Sequence, residues 1–148
     1  MLEKIYEEWK KDTQEFKQNP DLEELTRKVP ELHAKYLELL SKTKIKLKQA
    51  EFDQNRLMKN KWLWYNGKLS QEEVEAFGWE PDPFDGLKIL KGEMQHYVEA
   101  DPELQESEAK IELLKNTIDT LKEIVDNLKW RHQSISNIIR WKQFEAGF

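Results

Sequence analysis

Residues 111–139 carry an apolar or packed side chain at alternating steps of three and four: Ile111, Leu114, Ile118, Leu121, Val125, Leu128, His132, Ile135 and Ile139. This pattern constrains the fold more than any other feature of the chain. Steps of three and four return to one face of an α-helix, and four unbroken heptads demand a long helix that buries one seam. Asp101-Pro102 supplies its start, with aspartate as N-cap and proline in the first turn, where a missing N–H costs nothing. A second stripe runs through Leu32, Tyr36, Leu39, Thr43, Leu47, Ala50, Gln54, Leu57, Lys61 and Trp64, with one step of four after four at Thr43–Leu47. Such a stutter locally unwinds a supercoil. The stripe turns polar toward its end, which suggests that the helix leaves the core or meets a ligand there.

Shorter elements fill the rest. Leu2, Ile5, Tyr6, Trp9 and Phe16 fall at helical spacing over residues 2–17, and Asn19-Pro20-Asp21 breaks that helix. Pro30 is expected in the first turn of the next helix, which runs to about Trp64 and ends at Asn66-Gly67. Ser70-Gln-Glu-Glu73 reads as a capping box opening a short acidic helix, and a short helical or mixed segment is expected from Leu87 to about Val98. The fold class is therefore all-α: long antiparallel helices with coiled-coil-like seams, in one helical domain spanning 1–148. Hydrophobic residues make up only 38% of the chain, which is lean for a monomer and favours partner chains covering part of the stripes. Periodicity alone leaves open whether the seam closes within one chain or between chains.

Several classes of chemistry are disfavoured. The chain has no cysteine, so no disulfide or thiolate site is possible. His33, His96 and His132 lie far apart, and none sits at metal-ligand spacing. His132, on a seam position, reads as a packed interface histidine. Carboxylate pairs such as Glu72 and Glu75 lack an apolar pocket signal, and no glycine-rich phosphate loop is present. Neither an enzyme nor a bound cofactor or metal is expected. No apolar run approaches 18 residues, so no membrane span is expected and an intracellular soluble protein is the default.

Charge is distributed unevenly. Residues 42–68 hold Lys42, Lys44, Lys46, Lys48, Arg56, Lys59, Lys61 and Lys68 against only Glu51 and Asp53, whereas residues 69–113 carry 13 acidic and 3 basic groups. Within the basic stretch, Trp62, Trp64 and Tyr65 interleave with the cations. Cations neutralise phosphates and rings stack bases, the two parts a single-strand binder needs. Lys42, Lys44, Lys46 and Lys48 are two residues apart, roughly 200° on a helix, so only some of them could extend a phosphate track. On composition alone, the reading of a helix end whose rings are core and whose lysines are solvated stands ahead of the strand-binding one.

The run Lys59-Asn-Lys61-Trp62-Leu-Trp64-Tyr65-Asn-Gly67-Lys68 resembles the Lys-x-Arg-Leu-x-Tyr-Tyr-Ser-Gly-Arg pattern of the UvsY family, the recombination mediators of T4-like bacteriophages. Lys61 stands for the arginine, Trp62 takes the leucine's place, and the aromatic pair, the glycine and the following cation are kept. Phe144-Glu-Ala-Gly147 stands where the family ends in the same four residues, and Leu2-Glu3, Lys10-Lys11-Asp12, Glu93-Met94 and Ala100-Asp101 look similar. The resemblance implies a ring-forming, non-catalytic protein that binds single-stranded DNA in the cytoplasm of an infected bacterial host. Its implied partners are a RecA-like recombinase and a single-strand-binding protein, with the recombinase loaded onto covered strands. It assigns DNA contact to Lys59 and Lys61; Lys68, Arg56, Lys44, Lys48, Trp62, Trp64 and Tyr65 join them on composition. It also implies an assembly role for a tail at about 140–148, through Trp141, Phe144 and Phe148, beside the seam residues Ile111, Leu114, Ile118, Leu121, Val125, Leu128, Ile135 and Ile139. The competing expectation is a coiled-coil adaptor that binds only proteins and docks them on the acidic region.

Overall fold

The computed structural model describes residues 1–18 and 21–147; Asn19, Pro20 and Phe148, and the readings placed on them, lie outside the described residues. The described elements are helical: α1 (Leu2–Gln18), α2 (Leu22–Tyr65), α3 (Gln71–Phe77), a 3₁₀ turn (Lys91–Glu93), α4 (Met94–Glu99) and α5 (Pro102–Glu145). The expected all-α class is thus observed.

α2 begins eight residues earlier than its proline suggests. Asp21 accepts hydrogen bonds from the backbone N–H of Glu23 (3.0 Å) and Glu24 (3.3 Å), an N-cap that starts the helix at Leu22. Pro30 therefore lies inside α2, correcting its expected place in the first turn. A strong cap and the burial of Leu25 outweigh one lost backbone hydrogen bond.

The chain forms two compact units, residues 1–46 with 113–148, and residues 47–112. In the first, Asp12 of α1 accepts from Tyr36 Oη (2.7 Å) and Lys35 Nζ (3.1 Å) of α2, and the Trp9 ring meets Tyr36 edge-on. The seam of α5 closes here: Leu114, Ile118, Leu121, Val125, Leu128 and Ile135 are buried within the single chain. Fully burying a leucine of this kind contributes about 1.5–3 kcal/mol. Those residues, and Ile111 of the second unit, are core of the single chain. The seam also takes Arg131 instead of His132, which is exposed. The Arg131 guanidinium lies 4.6 Å from the Trp9 ring centroid and 4.5 Å from that of Phe16, and donates to Thr13 Oγ1 at 3.1 Å. Burial lowers its pKa. Beyond Ile135 the seam opens, and Ile139, Trp141 and Phe144 are exposed, the last two with their rings stacked 5.6 Å apart.

In the second unit, α2 and α5 run antiparallel, with Ala50, Asp53 and Leu57 facing Glu103, Glu106, Ser107 and Lys110 across a shallow groove. α2 ends in a Schellman turn: Lys68 N–H bonds Leu63 O (2.8 Å), Gly67 N–H bonds Trp64 O (3.0 Å), and Gly67 has φ +68°. Only glycine takes that left-handed conformation without penalty. Ser70 caps α3 by accepting from Glu73 N–H at 3.2 Å, the first half of the expected capping box.

Candidate nucleic-acid interface

α2 presents two faces through residues 47–65. At about 100° per residue, Lys48, Phe52, Arg56 and Lys59 fall within about 80° of one another, Trp62 lies at their edge, and Lys61 points about 180° from Phe52. The burial pattern follows this geometry. Lys48, Arg56 and Lys59 are exposed, as are Phe52 at 51% and Trp62 at 50%. Lys48 Nζ lies 5.4 Å from the Phe52 ring centroid, and Lys68 Nζ lies 4.8 Å from that of Trp62. The carboxylates beside this face are weakly engaged: Glu51 is 3.7 Å from Lys48 and Asp53 3.5 Å from Arg56, pairs exposed enough to contribute about 0–1 kcal/mol. A phosphate can displace such partners. Lys44, in the first unit, is exposed as well.

The inner face holds the opposite environment. Lys61 is 3% exposed, and its ammonium reaches Asp101 Oδ2 at 3.1 Å and Glu103 Oε1 at 3.4 Å. It also lies 4.6 Å from the Trp64 ring centroid and 4.2 Å from that of Trp79. Asp101 joins the elements. Its Oδ1 caps α5 by accepting from Glu103 N–H (3.0 Å) and Leu104 N–H (3.1 Å), while its Oδ2 accepts from Tyr65 Oη at 2.6 Å. Burial alone would raise the Asp101 pKa, but the donors from Tyr65, Leu104 and Lys61 outweigh it and hold the carboxyl below the usual range. Burial, with the bond to Asp101 behind it, pushes the Tyr65 phenol up. Trp64 Nε1 donates to Glu80 O (2.8 Å), and Trp79 Nε1 donates to Glu103 Oε1 (2.9 Å).

The residues grouped from the sequence thus divide. Lys48, Arg56, Lys59, Lys68 and Trp62 stand on or beside the open face, whereas Lys61 and Tyr65 are inside and Trp64 is half-buried with its N–H engaged. Sequence reasoning did not single out Phe52, although it stands four residues after Lys48 and seven before Lys59, the helical spacing that marks one face. It also missed the buried partners Trp79 and Glu103. Among the described residues no cluster of His, Cys, Asp or Glu could hold a metal ion, and no helix is long and apolar enough to cross a membrane.

Fold and site define an all-helical protein that displays cations and rings together on one helix face. Comparison with known proteins gives that class a family. A family model described as "Recombination, repair and ssDNA binding protein UvsY" matches residues 8–148, and the chain belongs to that family. The crystal structure of the bacteriophage T4 recombination mediator protein UvsY is similar in fold, with a TM-score of 0.77 at 23% identity over 99% of this chain and 98% of that one. Comparison with curated proteins finds no match.

Proposed function

We propose that the chain is a recombination mediator that holds single-stranded DNA along the outer face of α2 and presents it to a RecA-like recombinase on strands covered by single-strand-binding protein. The observation that carries this reading is the placement of three cations, Lys48, Arg56 and Lys59, with exposed Phe52 and Trp62 on one side of a single helix. Lys68 extends it past the Schellman turn. Cations neutralise phosphates while rings stack bases without reading sequence, which suits a protein that must accept any strand. Membership of a single-stranded-DNA-binding family supports the same reading.

Assembly into a ring completes the proposal. Ile139, Trp141 and Phe144 are exposed at the end of α5, and a second copy would cover them. A ring repeats the basic face once per subunit, and linked weak contacts sum to tight binding.

Two measurements test this. Labelled oligo-dT at moderate salt should bind the full chain, and an absence of binding would favour a protein-only adaptor. Solution mass should fall to that of a monomer when residues 141–148 are removed; an unchanged mass would place assembly elsewhere.

A further inference from the structure

Lys59 and Lys61 are two residues apart, carry the same charge, and lie in opposite environments. Lys59 faces solvent; Lys61 is 3% exposed, between two indole rings and two carboxylates. To reach a phosphate, the Lys61 ammonium would have to leave Asp101 and Glu103 and strip Asp101 of a partner while that carboxylate stays buried. Removing one member of a buried pair costs far more than a surface phosphate contact returns.

The last turn of α2 follows directly from this buried cluster. Lys61 ties the helix to the start of α5 through Asp101, and Trp64 and Tyr65 are fixed to Glu80 and Asp101. Between them, Trp62 has its carbonyl held by Asn66 Nδ2 (2.7 Å) and Asn66 N–H (3.0 Å), and the Schellman turn then brings Lys68 over the Trp62 ring at 4.8 Å. Lys61 therefore stands behind the Trp62–Lys68 pair.

We propose that Lys61 never touches the strand, and that it is a positioning residue whose buried charge fixes the end of α2 so that Trp62 and Lys68 are preorganised for a base and its phosphate. This rests on the reading of the outer face as the strand site, and it moves the second cationic contact from Lys61 to Lys68.

Acetylation of lysines in the intact chain tests the placement without a variant. Lys59 and Lys68 should react in the free protein and be protected by oligo-dT. Lys61 should react at least about tenfold more slowly than Lys59 with or without the strand, as its burial requires. A Lys61 that reacts like Lys59 and is shielded by oligo-dT would overturn the proposal. Positioning is read by affinity against salt. Lys61→Met should weaken oligo-dT binding about tenfold while keeping the wild-type salt slope, whereas a lost phosphate contact lowers the slope by about 0.7. Lys61→Arg, which keeps the charge, should stay within about threefold. Trp79→Leu, remote from the outer face, should act like Lys61→Met but more weakly, and it provides a second route if Lys61→Met does not fold. Unchanged affinity in both, or a reduced slope in either, would refute the positioning role. If wild type fails to bind oligo-dT, the strand-site reading falls, while the reactivity of Lys61 in the free chain still reports its burial.

Discussion

The outer and inner faces of α2 between Lys48 and Tyr65 use the same residue types for opposite ends. Outside, Lys48 and Arg56 keep loose carboxylate partners, and with exposed Lys59 they stand beside exposed rings. Inside, Lys61 is closed in by Asp101, Glu103, Trp64 and Trp79. The first arrangement keeps cations free to exchange partners; the second has already chosen them. A cation beside an aromatic ring is thus not by itself a ligand site, and what distinguishes the two cases is desolvation and how many hydrogen-bonding partners the charge already has.

The largest effect that would sharpen this contrast lies at the inner hub. Asp101→Ala leaves Lys61 short of its nearest carboxylate, frees the Tyr65 hydroxyl and uncaps α5. Urea unfolding should show a loss of about 3–5 kcal/mol, the range for breaking a buried pair. The same group sets an acid limit. Its folded pKa is depressed, so its contribution is complete above the unfolded carboxylate value near pH 4 and is lost as pH falls through the folded value. Thermal midpoints should drop below about pH 4 in wild type and less steeply in Asp101→Asn. A loss under about 1 kcal/mol in Asp101→Ala would place the inner face on a par with surface pairs.

Next come the outer rings. Trp62→Ala and Phe52→Ala should each weaken oligo-dT binding by about 1–3 kcal/mol, the range for a stacked base, while unfolding free energies move by no more than about 0.5 kcal/mol. The reverse pattern, stability lost and binding kept, would make those rings structural.

The smallest effect concerns Arg131, the buried cation of the first unit. It resembles Lys61 in having two rings against it, but it forms no ion pair with a carboxylate among the described residues, and its Nη1 has no hydrogen-bond partner. A charge held with so little compensation contributes little net stability, and Arg131→Met should unfold within about 1 kcal/mol of wild type. A loss as large as that of Asp101→Ala would mean that two rings and one hydroxyl hold a buried cation as well as carboxylates do.

Much of this architecture was legible in advance. The stripe from Ile111 to Ile135 predicted α5 and its buried face, and Asp101-Pro102 predicted its start, because periodicity and capping are local. Pro30 misled because its cost is outweighed only jointly, by the cap at Asp21, nine residues away, and by the burial of Leu25. The register shift from His132 to Arg131 depends on the rings of Trp9 and Phe16, more than a hundred residues distant, and no local pattern reports it. The site was legible as a segment but not as a face. Composition grouped Lys59 with Lys61, and Trp62 with Trp64 and Tyr65. Their separation follows from helix phase, which the stripe through Leu57, Lys61 and Trp64 already contained. What phase could not supply was the identity of the partners, Asp101, Glu103 and Trp79, which reach Lys61 only through the tertiary fold.

Whether the outer face of α2 grips the strand is read from the salt dependence of oligo-dT affinity in the triple variant Arg56→Gln, Lys59→Gln, Lys68→Gln. At about 0.7 per phosphate contact on single strands, the slope of log affinity against log salt should shrink by about 2, with thermal stability retained. A folded triple variant that binds with the wild-type affinity and slope would contradict that grip.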